Sequence, residues 1–142
     1  MILQSVCTSF KVEILKGVHD LTPTTGDTFM LALYTSDADL GPETTEYTAT
    51  NEVSGTGYSV GGHEVTPVTP TSSGVTAIGD FVDLTISTVT VSDVRGALVY
   101  NASKSNKAVL VLDFGVARAK TAADFVITFP AADAENAILR IR

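Results

Sequence analysis

The sequence predicts a mainly β protein: an antiparallel β-sandwich, of jelly-roll or immunoglobulin-like strand order, with one N-terminal amphipathic helix. The chain is rich in Thr, Ser, Val and Gly, and only 18% of its residues are charged, against about 25% in an ordinary domain. Short apolar segments recur along it, separated by polar or Gly- and Pro-containing turns, as in sandwiches and small barrels. No repeat or linker interrupts the 142 residues, so we expect one domain over residues 1–142.

The N-terminal segment has the periodicity of a helix. Phe10, Ile14 and Val18 recur every four residues, and Leu15 widens the apolar stripe, which predicts an amphipathic helix over about residues 9–19. One short helix cannot bury its own apolar face. We therefore expect it to pack on a sheet or on a neighbouring subunit.

The ends of this helix carry capping and stop residues. Thr8 or Ser9 is expected to cap the N-terminus, and Pro23 to stop the helix. His19 falls at the predicted C-terminal end, where the helix dipole favours a cation, so we assign it a structural role. Cys7, the only cysteine, excludes an intrachain disulfide and is expected to be a small buried residue.

The segment Ala49–Gly62 has too many glycines for a plain strand and too many β-formers for a linker. We expect its glycines to provide positive φ or close backbone approach, at a bulged corner on the rim of a sheet. Val53, Tyr58 and Val60 can still pack. The glycines are Gly55, Gly57, Gly61 and Gly62.

The strands follow from runs of apolar and β-branched residues. Phe29–Tyr34 is typical of a strand buried on both faces, and Gly96–Phe114 is predicted to be a hairpin at the centre of the sheet. Pro67 and Pro70 place their strand at a sheet edge. The predicted strands are 29–34, 62–68, 75–87, 96–100, 108–114, 125–129 and 137–141, with Ile138 and Ile141 facing inward in the last. The predicted loops are 36–48, 71–74 and 117–123.

Composition argues against several functional classes. The net charge is −7 and nine Lys and Arg residues are spread along the chain, so we expect no direct nucleic-acid binding. No apolar run approaches the ~20 residues that span a bilayer, and no signal-peptide pattern is visible. We expect synthesis in the cytoplasm without an export signal, and docking on a neutral or basic partner.

The search for chemistry yields no catalytic, cofactor-binding or metal-binding residue. The two histidines, His19 and His63, are not spaced with a nucleophile as catalysis requires, and His63 is expected on the surface. Asp37 and Asp39 resemble the opening of a calcium loop without its later ligands, which leaves open a weak surface cation with Glu43. We expect no enzymatic activity and no cofactor.

Four segments carry a resemblance, and they keep their order from near one end of the chain to the other: Cys7–His19, Asp27–Ser36, Thr45–Tyr58 and Phe129–Ile141. The third reads Thr-Glu-Tyr-Thr-Ala-Thr-Asn-Glu-Val-Ser-Gly-Thr-Gly-Tyr. In these segments the chain resembles a widespread family of small bacteriophage virion proteins. The resemblance implies a virion component on the head surface, the neck or the tail, and it implies no catalytic residues.

From this resemblance and the unpartnered helix we expect a capsid decoration, or cement, protein. It would be a homo-oligomer that binds the major capsid protein or other virion proteins. The candidate interface residues are Phe10, Ile14, Leu15, Val18 and Tyr58. The alternative is a tail or neck component, such as a receptor-binding module that presents its Thr-, Ser- and Gly-rich loops. A small carbohydrate-active enzyme would need a carboxylate pair in a cleft.

Overall fold

The computed structural model describes residues 1–142 and is mainly β, as predicted. It contains one α-helix, eight strands and one 3-10 turn. The elements are β1 Ser5–Val6, α1 Thr8–Leu15, β2 Phe29–Tyr34, β3 His63–Val65, β4 Pro67–Ser73, β5 Thr76–Phe81, β6 Leu84–Asn101, the 3-10 turn Ala102–Lys104, β7 Lys107–Ile127 and β8 Leu139–Ile141.

The strands form two antiparallel sheets that pack in a sandwich-like arrangement. The larger sheet has the order β1-β7-β6-β2-β3 and the smaller has the order β4-β5-β8. Aromatic rings join the two sheets: the Phe81 ring lies 5.8 Å from the Phe29 ring and 5.6 Å from the Phe129 ring, between centroids. The predicted antiparallel sandwich is therefore confirmed.

The predicted central hairpin is confirmed, but it is longer than the sequence indicates. β6 has 18 residues and β7 has 21, and they pair from Asn101 opposite Lys107 to Leu84 opposite Ile127. The predicted loop at 117–123 is wrong, because these residues belong to β7. Four register shifts lie between Ile86 and Gly96, and they break the alternation by which a strand is recognised.

The smaller sheet corrects three further boundaries. The predicted strand 62–68 is divided, because His63–Val65 belongs to the larger sheet and β4 begins at Pro67 in the smaller one. The predicted loop at 71–74 is wrong, because β4 continues to Ser73 and turns into β5 at Gly74. β4 is an edge strand, as its prolines predict. The predicted strand 75–87 is broken after Phe81, where the Asp83 side chain accepts a hydrogen bond from the Phe129 amide at 2.8 Å.

The inward face of β8 is also different from the prediction. Leu139 is buried and Ile141 is exposed, while Ile138 is only partly buried. Leu139 lies opposite Gly79 of β5, whose missing side chain leaves room for it, and a Cβ on Gly79 would lie 3.0 Å from the Leu139 Cβ. A three-residue strand is too short for its sequence to fix which residues face inward.

Helix α1 ends at Leu15 and not at residue 19. Gly17 has φ +70°, and its amide donates to the Ile14 carbonyl at 3.1 Å, while the Val18 amide donates to the Glu13 carbonyl at 3.0 Å. This pair of bonds is a Schellman motif, in which glycine takes the left-handed conformation that ends a helix. The predicted stop at Pro23 is therefore not used.

The other end and the apolar face of α1 differ as well. Cys7 occupies the N-cap position without a side-chain cap, whereas Thr8 or Ser9 was expected there. Phe10 is buried, Ile14 is partly buried and Leu15 is 88% exposed. The apolar stripe of the helix is thus only partly covered by its own chain.

The glycine segment packs as predicted, by close backbone approach. A Cβ on Gly62 would overlap the Leu31 carbonyl oxygen of β2, and a Cβ on Gly57 would lie 2.5 Å from the Thr88 carbonyl oxygen of β6. Both glycines also have positive φ. The segment therefore lies directly on the larger sheet. Val53 and Tyr58 are buried, as predicted, but the prediction that Val60 packs is wrong, because its side chain is 73% exposed.

This close approach predicts the effect of adding one methyl group. Gly62→Ala should lower the free energy of unfolding by at least about 3 kcal/mol, because positive φ and a backbone clash act together. Gly74→Ala is the matched control, since Gly74 has φ +59° but open space around it, and it should cost about 1 kcal/mol. Urea unfolding measures both, and equal losses would contradict close packing at Gly62.

Candidate functional site

All four tyrosines of the chain gather around Glu52, inside the glycine segment. The Tyr47 hydroxyl donates to Glu52 Oε2 at 2.6 Å and the Tyr58 hydroxyl donates to Glu52 Oε1 at 2.8 Å. Oε1 also accepts the Gly61 amide at 2.8 Å, and the Tyr58 hydroxyl accepts the Leu33 amide of β2 at 2.9 Å. One carboxylate thereby joins the segment to itself and to the sheet.

The remaining two tyrosines complete this cluster. The Tyr100 hydroxyl of β6 donates to the Gly61 carbonyl at 2.5 Å, and the Tyr34 hydroxyl of β2 donates to the Thr48 carbonyl at 2.7 Å. The Tyr47 and Tyr100 rings stack with centroids 4.8 Å apart. Tyr58, a candidate interface residue, is buried, so its ring has an internal role.

The cluster holds its tyrosines in the neutral form. Burial raises the pKa of Tyr34, Tyr47, Tyr58 and Tyr100, and the negative charge of Glu52 acts in the same direction. A neutral phenol can donate to a carboxylate, whereas a phenolate beside it would be repelled. The pKa shifts therefore reflect the same contacts that hold the segment in place.

A second polar cluster surrounds His19, whose side chain is completely buried. His19 Nε2 lies 2.9 Å from Glu13 Oε1, and His19 Nδ1 lies 2.9 Å from Asn101 Nδ2. The Asn101 amide nitrogen also donates to Asp27 at 2.8 Å, which in turn pairs with Lys104 at 2.9 Å.

These contacts define the tautomer of His19. Asn101 Oδ1 accepts from the Ser103 amide, so the Asn101 nitrogen faces the imidazole and donates to Nδ1. Nε2 then carries the proton and donates to Glu13. The cluster ties the segment after α1 to the end of β6, and this tie gives His19 a structural role. It does so through buried hydrogen bonds and not through the helix dipole, because α1 ends four residues earlier.

The acidic loop after β2 lies on the surface. Asp37, Asp39 and Glu43 are exposed, and no three His, Cys, Asp or Glu side chains of the structure form a group that could hold a metal ion. Cys7 is fully buried, as predicted, and burial raises the pKa of its thiol to about 11. His63, expected on the surface, is partly buried at the start of β3, and its ring lies 5.7 Å from the Tyr58 ring.

One site open to other molecules is a groove of about 590 Å³ between α1 and the smaller sheet. Phe10, Ile14 and Leu15 line it from the helix, and Ile78 and Leu139 line it from β5 and β8. We call this surface the α1 groove. Its other apolar lining residues are Val6, Leu21, Ala77 and Ile141.

The α1 groove brings together three of the five candidate interface residues: Phe10, Ile14 and Leu15. Val18 lies outside it and is partly buried. Sequence reasoning missed the opposite wall, because Ile78 and Ile141 belong to short strands that become neighbours only when β5 pairs with β8. The exposed apolar side chains at the groove are Leu15 and Ile141.

The fold and the groove define an antiparallel β-sandwich protein with a helix-flanked apolar surface cleft. Comparison of the chain with protein-family models, with curated proteins and with solved structures finds no match. None of its helices has the length and apolar character required to span a bilayer.

The tyrosine cluster predicts a loss of stability in alkali. The folded tyrosines have pKa values above the unfolded value of 10.0, so above that pH the unfolded chain ionises first. Their contribution is complete below pH 10 and is lost as pH rises further. Cys7 acts in the same direction from its ordinary value of 9.0.

Urea unfolding between about pH 8 and pH 11.5 measures this effect. The free energy of unfolding should be nearly flat up to about pH 9 and should then fall with increasing slope. A free energy that stays constant over the whole range would contradict the burial of the phenols.

Proposed function

We propose that the protein is a structural component of a bacteriophage particle that acts by binding other proteins, most simply as a capsid decoration protein. The observation that supports a protein-binding role is the α1 groove. Its floor is apolar, and Leu15 at its edge is 88% exposed. When a partner covers apolar side chains that are exposed beside a cleft, the complex is stabilised by roughly 25 cal/mol per Å² of apolar surface buried.

The assignment to a phage particle rests on the sequence resemblance of four segments to small virion proteins. The groove is compatible with that role. A cleft of this size gives only a weak contact by itself, and weak contacts suit a protein that binds at many equivalent positions. A decoration protein repeats the same contact at many positions on a shell, and linked contacts strengthen one another. The major capsid protein or another virion protein, including a further copy of this chain, is the proposed partner.

The two polar clusters make the scaffold rigid, and a rigid scaffold favours binding through its outer surface. Glu52 and His19 form their hydrogen bonds with groups of the same chain. These groups hold the scaffold rigid. A rigid scaffold loses little conformational entropy when it docks, which favours binding.

A second candidate, a tail or neck component with an adhesive surface, is favoured by the β4–β5 hairpin. Residues 68–72 of β4 are all exposed, and Val75 at the turn is 98% exposed. Such a Thr- and Ser-rich hairpin could present side chains to a receptor. Copy number separates the two candidates.

Quantitative mass spectrometry of purified particles tests the proposal. We expect the protein in a fixed ratio to the major capsid protein. Leu15→Asp should lower its occupancy on the shell about tenfold, because a charge replaces an apolar contact. Val75→Asp, at a position that is also almost fully exposed but lies outside the groove, is the matched control and should leave occupancy unchanged. A handful of copies per particle would favour the tail or neck, and absence from particles would overturn both candidates.

A further inference from the structure

Charge is strongly segregated along the chain. Residues 17–94 contain no Lys or Arg, and they carry eleven of the sixteen acidic residues. All nine basic residues lie in the first 16 or the last 48 positions. The eleven acidic residues are Asp20, Asp27, Asp37, Asp39, Glu43, Glu46, Glu52, Glu64, Asp80, Asp83 and Asp93.

The α1 groove takes its charged residues mainly from the two basic ends. Lys11 projects from α1, and Arg140 and Arg142 come from β8 and the residue after it; all three are exposed. Asp20 is the acidic residue of the lining. A chain of net charge −7 therefore surrounds its apolar groove with three cationic side chains.

The opposite combination, an apolar side chain among carboxylates, occurs at the start of the chain. Leu3 is 51% exposed, and its amide donates to the Leu40 carbonyl at 2.8 Å. Asp39 and Glu43 lie on either side of Leu40 in sequence and both are exposed, the Asp39 side chain by 97%. Asp39 Oδ1 lies 3.7 Å from the Met1 ammonium, which offsets one of the negative charges. We call Leu3 with Asp37, Asp39 and Glu43 the acidic patch.

We propose that the α1 groove binds the acidic patch of a second copy of this chain. Leu3 of one copy would lie against Ile14, Leu15 and Ile141 of the other. The patch carboxylates would then face the cationic rim of the groove. The contact joins two different surfaces, so it is heterologous: in a pair, one copy keeps a free patch and the other keeps a free groove, and further copies can add at either end.

Charge complementarity favours a second copy over a positively charged or neutral partner segment. The cationic rim repels a basic segment, and a neutral one would leave the three cations unpaired. The chain itself presents carboxylates around an exposed leucine, which is the composition that the groove fits. Exposed ion pairs contribute little free energy, so the contact is weak for a single pair of copies and depends on Leu3 and Leu15 as well.

This inference rests on the proposed use of the groove as a protein-docking surface, and it does not require a phage particle. Sedimentation velocity on the purified chain tests it at concentrations up to about 1 mM, which detects weak contacts. Wild type should self-associate with rising concentration. The groove variant Lys11→Glu/Arg140→Glu and the patch variant Asp39→Lys/Glu43→Lys should each associate at least about tenfold more weakly.

Mixing the two variants is the decisive step. The patch variant has an intact groove and the groove variant has an intact patch, so together they should form a 1:1 dimer and no larger species. The matched control, Arg118→Glu/Lys120→Glu, makes the same change in charge at exposed positions of β7 that do not line the groove, and it should associate like wild type. Circular dichroism shows that each variant is folded.

Three results would overturn the inference. They are a wild type that stays monomeric over the whole range, a groove variant that associates like wild type, and a mixture that contains only monomers. Each of these leaves the proposed function standing, since the groove could then bind the capsid protein directly. Absence of the protein from virions would remove the proposed function while leaving self-association intact.

Discussion

The position of the glycine segment depends on one carboxylate, Glu52, whose hydrogen bonds hold the segment on the larger sheet where no regular strand pairing does so. The segment 49–62 has no regular pairing with the sheet, only single bridges such as Thr56 opposite Thr90. Buried backbone groups need partners, and backbone and side chains share that role here. The Val53 amide donates to the Leu33 carbonyl at 2.9 Å, and Glu52 accepts from Tyr47, Tyr58 and the Gly61 amide. The glycines let the backbone come close enough for these bonds to form. The position of the segment therefore depends both on the glycines and on the carboxylate.

The second polar cluster explains why the α1 groove is open. Helix α1 buries Phe10 but leaves Leu15 in solvent, so apolar packing alone does not hold it against the smaller sheet. The segment after the helix is fixed instead by hydrogen bonds from His19 to Glu13 and Asn101. Because this tie fixes the helix to the larger sheet, the smaller sheet keeps part of its apolar surface uncovered.

The sequence predicts those parts of the fold in which a local pattern and the tertiary structure agree. Phe29–Tyr34 is a strand with the predicted bounds, since a continuous apolar run fits burial on both faces. Gly62 shows the close approach that its segment indicates. Residues 115–124 of β7 are exposed throughout, so they carry no apolar alternation, and pairing with β6 alone makes them a strand.

The candidate site was predictable on one side only. The helical spacing of Phe10, Ile14 and Leu15 indicates an unpartnered apolar surface, and the structure places all three at the groove. The opposite wall depends on β5 pairing with β8, across about 60 residues, and such pairing is not encoded in local spacing. Tyr58 was misassigned for the opposite reason. An aromatic ring in a glycine-rich loop suggests an exposed interface residue, but the Tyr58 ring is buried in the protein interior.

Native-state hydrogen exchange tests most directly the claim that Glu52 holds the glycine segment on the sheet. In wild type, the Gly61, Leu33 and Thr90 amides should exchange slowly, since each has a partner in this contact. In Glu52→Ala, Gly61 and Leu33 should exchange roughly 30-fold faster, equivalent to about 2 kcal/mol. The Val99 amide in the central hairpin should stay protected in Glu52→Ala. In the control Glu64→Ala, which changes an exposed glutamate, all four amides should exchange as slowly as in wild type. Unchanged protection of Gly61 in Glu52→Ala would contradict the account.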